Sequence, residues 1–173
     1  MTKRPVVVCF FGPESTGKTT MAKKMALEFN AEWVPEVSRE MIDSNQFTIE
    51  DIIRIGKAQT ERMLKASTGG NRLIICDTDL ITTQLYSAHY LGIVPAVLHE
   101  LEKRVRIDQY FLFNTDVPWV ADGLRDLGDQ REKMMKVFSE ALTARNIQAI
   151  PVVGDYDQRT EIVRAELLRL LEN

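Results

Sequence analysis

The chain has 173 residues, enough for one domain with a sizeable core, and no second domain is visible in it. Hydrophobic residues make up 45% and charged ones 27%, and the formal net charge is -3, which argues against a nucleic-acid partner because such domains usually carry a clustered basic face. No apolar stretch is long enough to cross a bilayer and the N-terminus lacks a signal-peptide apolar region, so a cytoplasmic chain with no membrane partner is expected. Cys9 and Cys76 sit inside apolar, strand-like runs without metal-ligand spacing, as buried reduced thiols would.

In chain order, Pro5 to Phe11 reads as a strand, preceded by little more than a short tail, and Lys18 to Asn30 as a helix with Met21, Met25 and Leu27 on its buried face. Glu32 to Val37 is a short second strand broken by Pro35, followed by a helix that Ser38 would cap and that runs to Asn45. Thr48-Ile49-Glu50-Asp51 has the pattern of a capping box and opens a long helix to about Ser67, with Ile52, Ile55 and Met63 inward. Leu73-Ile74-Ile75-Cys76 is a strand buried on both faces, ending in Asp77-Thr78-Asp79. Helices follow over Leu80 to Leu91 and from Pro95 to about Arg106, then a strand at Tyr110 to Phe113. The polar segment Thr115 to Gln130 is expected to form a lid, followed by a helix from Arg131 to Arg145, a fifth strand from Ala149 to Val153, a loop at Gly154 to Asp157 and a last helix from Gln158 to Leu171. This alternation predicts an α/β, three-layer fold, a five-stranded parallel sheet with helices on both faces, with ligands beyond the carboxyl ends of the strands.

Between the first strand and the first helix lies Gly12-Pro13-Glu14-Ser15-Thr16-Gly17-Lys18-Thr19, the spacing G-x-x-x-x-G-K-[ST] in the strand–loop–helix context that makes it a phosphate site. The two glycines allow a tight turn and a close approach to an anion, and the amides of the loop and of the first helical turn, including Thr20, converge on the phosphates. Lys18 is expected to reach the β- and γ-phosphates of ATP, and the Thr19 hydroxyl to ligate Mg2+. Asp77 closes a strand as the second, carboxylate partner of the metal. Asp79, two residues on, faces the substrate hydroxyl or else caps the helix from Leu80. Glu36 and Arg39 follow the second strand and either line an acceptor pocket or form a surface ion pair. Arg125, and after it Arg131, are the arginines expected to close over the transferring phosphoryl group, the other reading being a salt-bridged surface loop.

Four blocks in order, Gly12 to Thr19, Pro35-Glu36-Val37-Ser38-Arg39-Glu40, Asp77-Thr78-Asp79-Leu80-Ile81-Thr82-Thr83-Gln84, and Trp119-Val120-Ala121-Asp122-Gly123-Leu124-Arg125, resemble the kinase domain of NadR-type proteins, over nearly the whole chain. The resemblance implies a P-loop kinase of AAA-like type that uses ATP and Mg2+ to phosphorylate nicotinamide riboside at its 5′-hydroxyl. It implies substrate contacts at Glu36, Arg39, Asp79 and Asp122. It also places Gly154 to Arg159, with Asp155 and Tyr156, beside the adenine. The other domains of that family have no room here, so a free-standing kinase is expected. Where the family can carry an aromatic residue before the glutamate, this chain has Pro35, so stacking on the nicotinamide would fall to Trp33, Tyr86 or Tyr90. Two further readings remain open: a kinase of another nucleoside, and a P-loop ATPase or nucleotide switch acting on a macromolecule.

Overall fold

The structure, a computed structural model, describes residues 3–118 and 130–173. The five strands are β1 (Val6–Phe11), β2 (Glu32–Val34), β3 (Leu73–Asp77), β4 (Gln109–Phe113) and β5 (Ala149–Val152). They form one sheet in the order β2-β3-β1-β4-β5, every neighbouring pair parallel. The helices are α1 (Lys18–Glu28), α2 (Ser38–Met41), α3 (Ile49–Ser67), α4 (Leu80–Leu91), α5 (Ala96–Glu102), α6 (Arg131–Ala144) and α7 (Tyr156–Glu172). The three-layer α/β fold expected from the alternation of patterns is the one observed.

Strand residues alternate between two cores, because successive side chains of a strand point to opposite faces. Val7, Cys9 and Phe11 join Ile74 and Cys76 under α3 to α6, while Val8 and Phe10 join Leu73, Ile75 and Phe111 under α1 and α7. Cys9 and Cys76 are register partners, fully buried and unpaired with each other as thiols. The chain therefore leaves β1 for α1 on one face and leaves the neighbouring β3 for α4 on the other. That divergence opens a crevice beyond the carboxyl ends of the two strands. At the opposite end of the sheet, Asp108 Oδ2 accepts from the Val7 N–H at 3.0 Å and from Arg4 at 3.1 Å, tying the start of β4 to the start of β1.

Several boundaries differ from the sequence expectation for local reasons. β2 stops at Val34 because Pro35 has no N–H to continue the ladder. α2 is a single turn with Val37 at its N-cap, and Ser38 Oγ donates to Glu36 Oε1 at 2.9 Å rather than capping. α7 starts at Tyr156, earlier than expected, through a capping box of Asp155 and Gln158. The capping box of Thr48 and Asp51 on α3 is present as read from the sequence. Among the described residues no helix is long and apolar enough to cross a membrane.

Candidate active site

The loop after β1 holds its shape through three residues with positive φ: Gly12 at 142°, Ser15 at 59° and Gly17 at 89°. Gly12 also has no room for a side chain, since a Cβ there would lie 2.7 Å from the carbonyl oxygen of Phe113 at the end of β4. The loop's carbonyls are engaged from behind. Pro13 O accepts from Lys18 Nζ at 2.6 Å and from Thr16 Oγ1 at 2.8 Å; Ser15 O accepts from Arg131 Nη1 at 3.4 Å; Thr16 O accepts from Arg159 Nη1 at 2.9 Å. All residues from Glu14 to Thr20 line one cleft. A carbonyl-braced glycine loop at a helix N-terminus offers backbone N–H groups to an anion.

Thr19 and Asp77 meet as expected from the sequence. Thr19 Oγ1 donates to Asp77 Oδ2 at 2.5 Å, and Asp77 Oδ1 is buried with no hydrogen-bond partner among the described residues. Burial, and then the charge of nearby Glu36, push the Asp77 carboxyl above its ordinary value, against the pull of Lys18. Among the described residues no group of three or more acidic, His or Cys side chains is arranged so that it could hold a metal ion by itself. One carboxylate and one hydroxyl facing a phosphate loop fit Mg2+, which keeps waters and takes its remaining oxygens from ligand phosphates.

The cleft continues past the loop into a cavity between α2, α3 and α4, about 980 Å³ of space in all, part of it open to solvent. Glu36 and Arg39 are among its lining residues, and Arg39 Nε donates to Glu36 Oε2 at 3.3 Å. Both sequence readings thus coincide: the pair is an ion pair and it lines the cavity. Glu40 takes no part, being paired with Arg62 at 2.8 Å. Deeper in, Phe47, Tyr86 and Tyr90 form an aromatic wall. The Tyr86 and Tyr90 rings lie 6.2 Å apart and 25° from parallel, and Phe47 meets Tyr90 edge-on at 5.6 Å.

The structure moves three expected residues out of the cleft. Asp79 is a correction: Thr78 takes φ 71°, so Asp79 does not share the side of Asp77 as alternation would have it. Its Oδ1 caps α4 by accepting from Thr82 N at 3.2 Å, and its Oδ2 accepts from the Tyr110 hydroxyl at 2.5 Å, so neither oxygen faces an acceptor hydroxyl. Burial pushes its carboxyl up to about 6. Arg131 spends its guanidinium on backbone oxygens, those of Ser15, Thr115 and Val117, and holds the loop rather than reaching over it. Trp33 packs in the core beside α1, with Lys23 over its ring at 5.0 Å, which leaves Tyr86 and Tyr90 as the candidate stacking platforms.

The Gly154–Arg159 segment lies against the phosphate loop through Arg159, which is 3% exposed and donates to Thr16 O, Gly154 O, Asn114 O and the Asp116 carboxylate. Asp155 itself caps α7, and Tyr156 is exposed with Lys24 over its ring. Asp122, Arg125 and most of the expected lid lie outside the described residues. Sequence reasoning missed Phe47, Thr82, Thr83 and Gln59 as cleft residues. The one signal for Gln59 is its polarity at Ile52 + 7 and Ile55 + 4, on the otherwise apolar face of α3.

The family described as an AAA domain matches residues 7–159. The chain is 33% identical over 172 residues to the trifunctional NAD biosynthesis/regulator protein NadR of Escherichia coli (strain K12), a match that takes in 91% of this chain and 42% of that protein. It therefore spans about two fifths of the relative's length. Its fold is similar to a crystal structure of NadR protein in complex with NAD and AMP-PNP, with a TM-score of 0.81 at 19% identity over 98% of this chain and 50% of the other. A second NadR structure, in complex with NR, gives a TM-score of 0.75 at 20% identity over 94% of this chain and 50% of the other.

Proposed function

The chain belongs to that AAA domain family, and from this premise we propose that it is a phosphotransferase that moves the γ-phosphoryl group of ATP to the 5′-hydroxyl of nicotinamide riboside, giving nicotinamide mononucleotide. The observation that carries the reading is the continuity of the cleft. The phosphate loop from Gly12 to Thr20 and an aromatic-walled cavity lined in part by Glu36 share one space, as a donor and an acceptor in line require. The similarity to NadR, a trifunctional NAD biosynthesis/regulator protein, supports nicotinamide riboside over other nucleosides.

The residues divide the work as follows. Amides of the loop and the Lys18 ammonium hold the β- and γ-phosphates. Thr19 and Asp77 would hold Mg2+, which when bound neutralises charge on those phosphates. Glu36, oriented by Ser38 and Arg39, accepts hydrogen bonds from the ribose and fixes the attacking oxygen. Tyr86 or Tyr90 stacks on the pyridinium ring, whose positive charge favours an aromatic face. In a loose transition state such positioning outweighs base strength. Arg131 and Arg159 keep the loop in shape from behind, while Arg125 and Asp122 keep the roles given them from the sequence, over the phosphoryl group and at the substrate.

The test is ATP consumption with product identification across a panel of nucleosides that includes nicotinamide riboside. The reading expects 5′-monophosphate from nicotinamide riboside at the highest kcat/KM. Turnover of another nucleoside alone would reassign the acceptor, and turnover independent of every nucleoside would favour a nucleotide switch.

A further inference from the structure

Gln59 lies on α3, 2% exposed, and lines the same cavity as Tyr86 and Tyr90. Its amide has a fixed orientation. The backbone N–H of Val37 points at one end of it at 3.0 Å, and an N–H can only donate, so that end is the oxygen Oε1. The other end is therefore the NH2 group. Nε2 is buried and has no hydrogen-bond partner among the described residues. A buried amide donor left unmatched costs free energy, and such groups in folded proteins normally find an acceptor. Around it the cavity is lined by Ile42, Ile52, Ile55 and the aromatic residues, with Asn45, Thr82 and Thr83 as further polar side chains.

We propose that Gln59 is a specificity-determining residue for the acceptor, its Nε2 donating to a carbonyl oxygen on the nucleoside base, which in nicotinamide riboside is the carboxamide oxygen. The inference rests on the nucleoside-kinase reading and deepens it. A site built to hydrogen-bond one group rejects the analogue without it, because the buried donor is then stranded. An all-apolar wall would discriminate between the two only weakly.

The experiment compares kcat/KM for nicotinamide riboside with that for the pyridinium riboside lacking the carboxamide, in the unaltered protein, in Gln59→Met and in Gln59→Glu. Gln59→Glu keeps an acceptor for Val37 N–H, so it preserves the anchoring of α2 should Gln59→Met fail to fold. The unaltered protein is expected to prefer the carbonyl-bearing acceptor by about tenfold or more, and the preference to collapse toward one in the variants. A purely structural role for Gln59 would lower both values equally and leave the ratio standing, which overturns the proposal. So does a ratio near one in the unaltered protein. If a different nucleoside from the panel proves to be the acceptor, the same ratio on that nucleoside and its analogue without the carbonyl decides for Gln59 separately from the choice of acceptor. If no nucleoside is phosphorylated, both readings fall.

Discussion

The Thr19 hydroxyl donates to one oxygen of Asp77 at 2.5 Å, while the other oxygen of that carboxylate is buried with no hydrogen-bond partner among the described residues. The pair joins the first turn of α1 to the end of β3, which lie side by side because Phe10 and Asp77 are register partners across the sheet.

Asp77→Asn keeps the shape of this junction and removes its charge. The concentration of Mg2+ needed for half-maximal turnover should rise by roughly tenfold or more, with a fall in kcat, as expected when a carboxylate beside a metal is neutralised. Mg2+ titrations at saturating ATP measure it, and an unchanged curve would remove Asp77 from the metal site.

Glu36→Gln addresses the acceptor side. Hydrogen bonds to a charged carboxylate contribute roughly 1.5–3 kcal/mol, so the KM for nicotinamide riboside should rise by at least about tenfold. The KM for ATP should rise much less, since Glu36 lies outside the phosphate loop and, being acidic, would repel rather than hold the phosphates. A shift confined to the ATP curve would mean that the acceptor binds elsewhere.

Arg159→Met removes a buried guanidinium whose partners are Thr16 O, Gly154 O, Asn114 O and the Asp116 carboxylate. Stranding several acceptors at once should lower stability by at least about 2 kcal/mol. Because one of them belongs to the phosphate loop, the KM for ATP should rise more than that for the nucleoside. Urea unfolding and paired substrate titrations separate the two effects.

Asp108 gives a pH-dependent contribution. Burial opposes its ionisation, but the hydrogen bonds from Arg4 and Val7 more than offset this and hold the carboxyl below its ordinary value of 3.8. A depressed carboxyl contributes stability that is present above the unfolded value and is lost as pH falls through the folded one. Asp108→Asn keeps an oxygen that can accept from Val7 N–H but loses the charge facing Arg4, which is largely exposed, so it should cost about 0.5–1 kcal/mol near neutral pH, and the gap to the unaltered protein should close as pH falls below the ordinary carboxyl value of 3.8. Urea midpoints from acid to neutral pH give the comparison, and a gap that stays constant throughout would contradict it.

What the sequence made legible is what local chemistry dictates. The glycine loop, the apolar run of β3 and the capping box of α3 each carry their cause within eight residues or fewer, and each formed where it was read. Asp79 shows where this stops. Extended backbone would have put it on the side of Asp77, and a single left-handed residue, Thr78, turns it toward Tyr110 instead. Nothing in a Thr signals positive φ. Of the residues lining the cavity beside Glu36, Tyr86 and Tyr90 were expected, but Phe47 and Gln59 were not, because they come from separate segments that only packing brings together. Pro35 in place of an aromatic residue pointed toward α4, but it could not distinguish Tyr86 and Tyr90 from Trp33.

Cys9 and Cys76, side by side at the centre of the sheet, give the protein a built-in clock. Burial pushes both thiols far above their ordinary values, so neither offers a thiolate to an alkylating reagent while they stay buried. Both thiols lie in the core between the sheet and α3 to α6, so a reagent reaches them only when those helices lift from that face. Maleimide uptake by the native chain therefore counts excursions in which α3 and α4, which also wall the cavity, leave the sheet, and a ligand that binds in that cavity should slow the labelling in proportion to its occupancy.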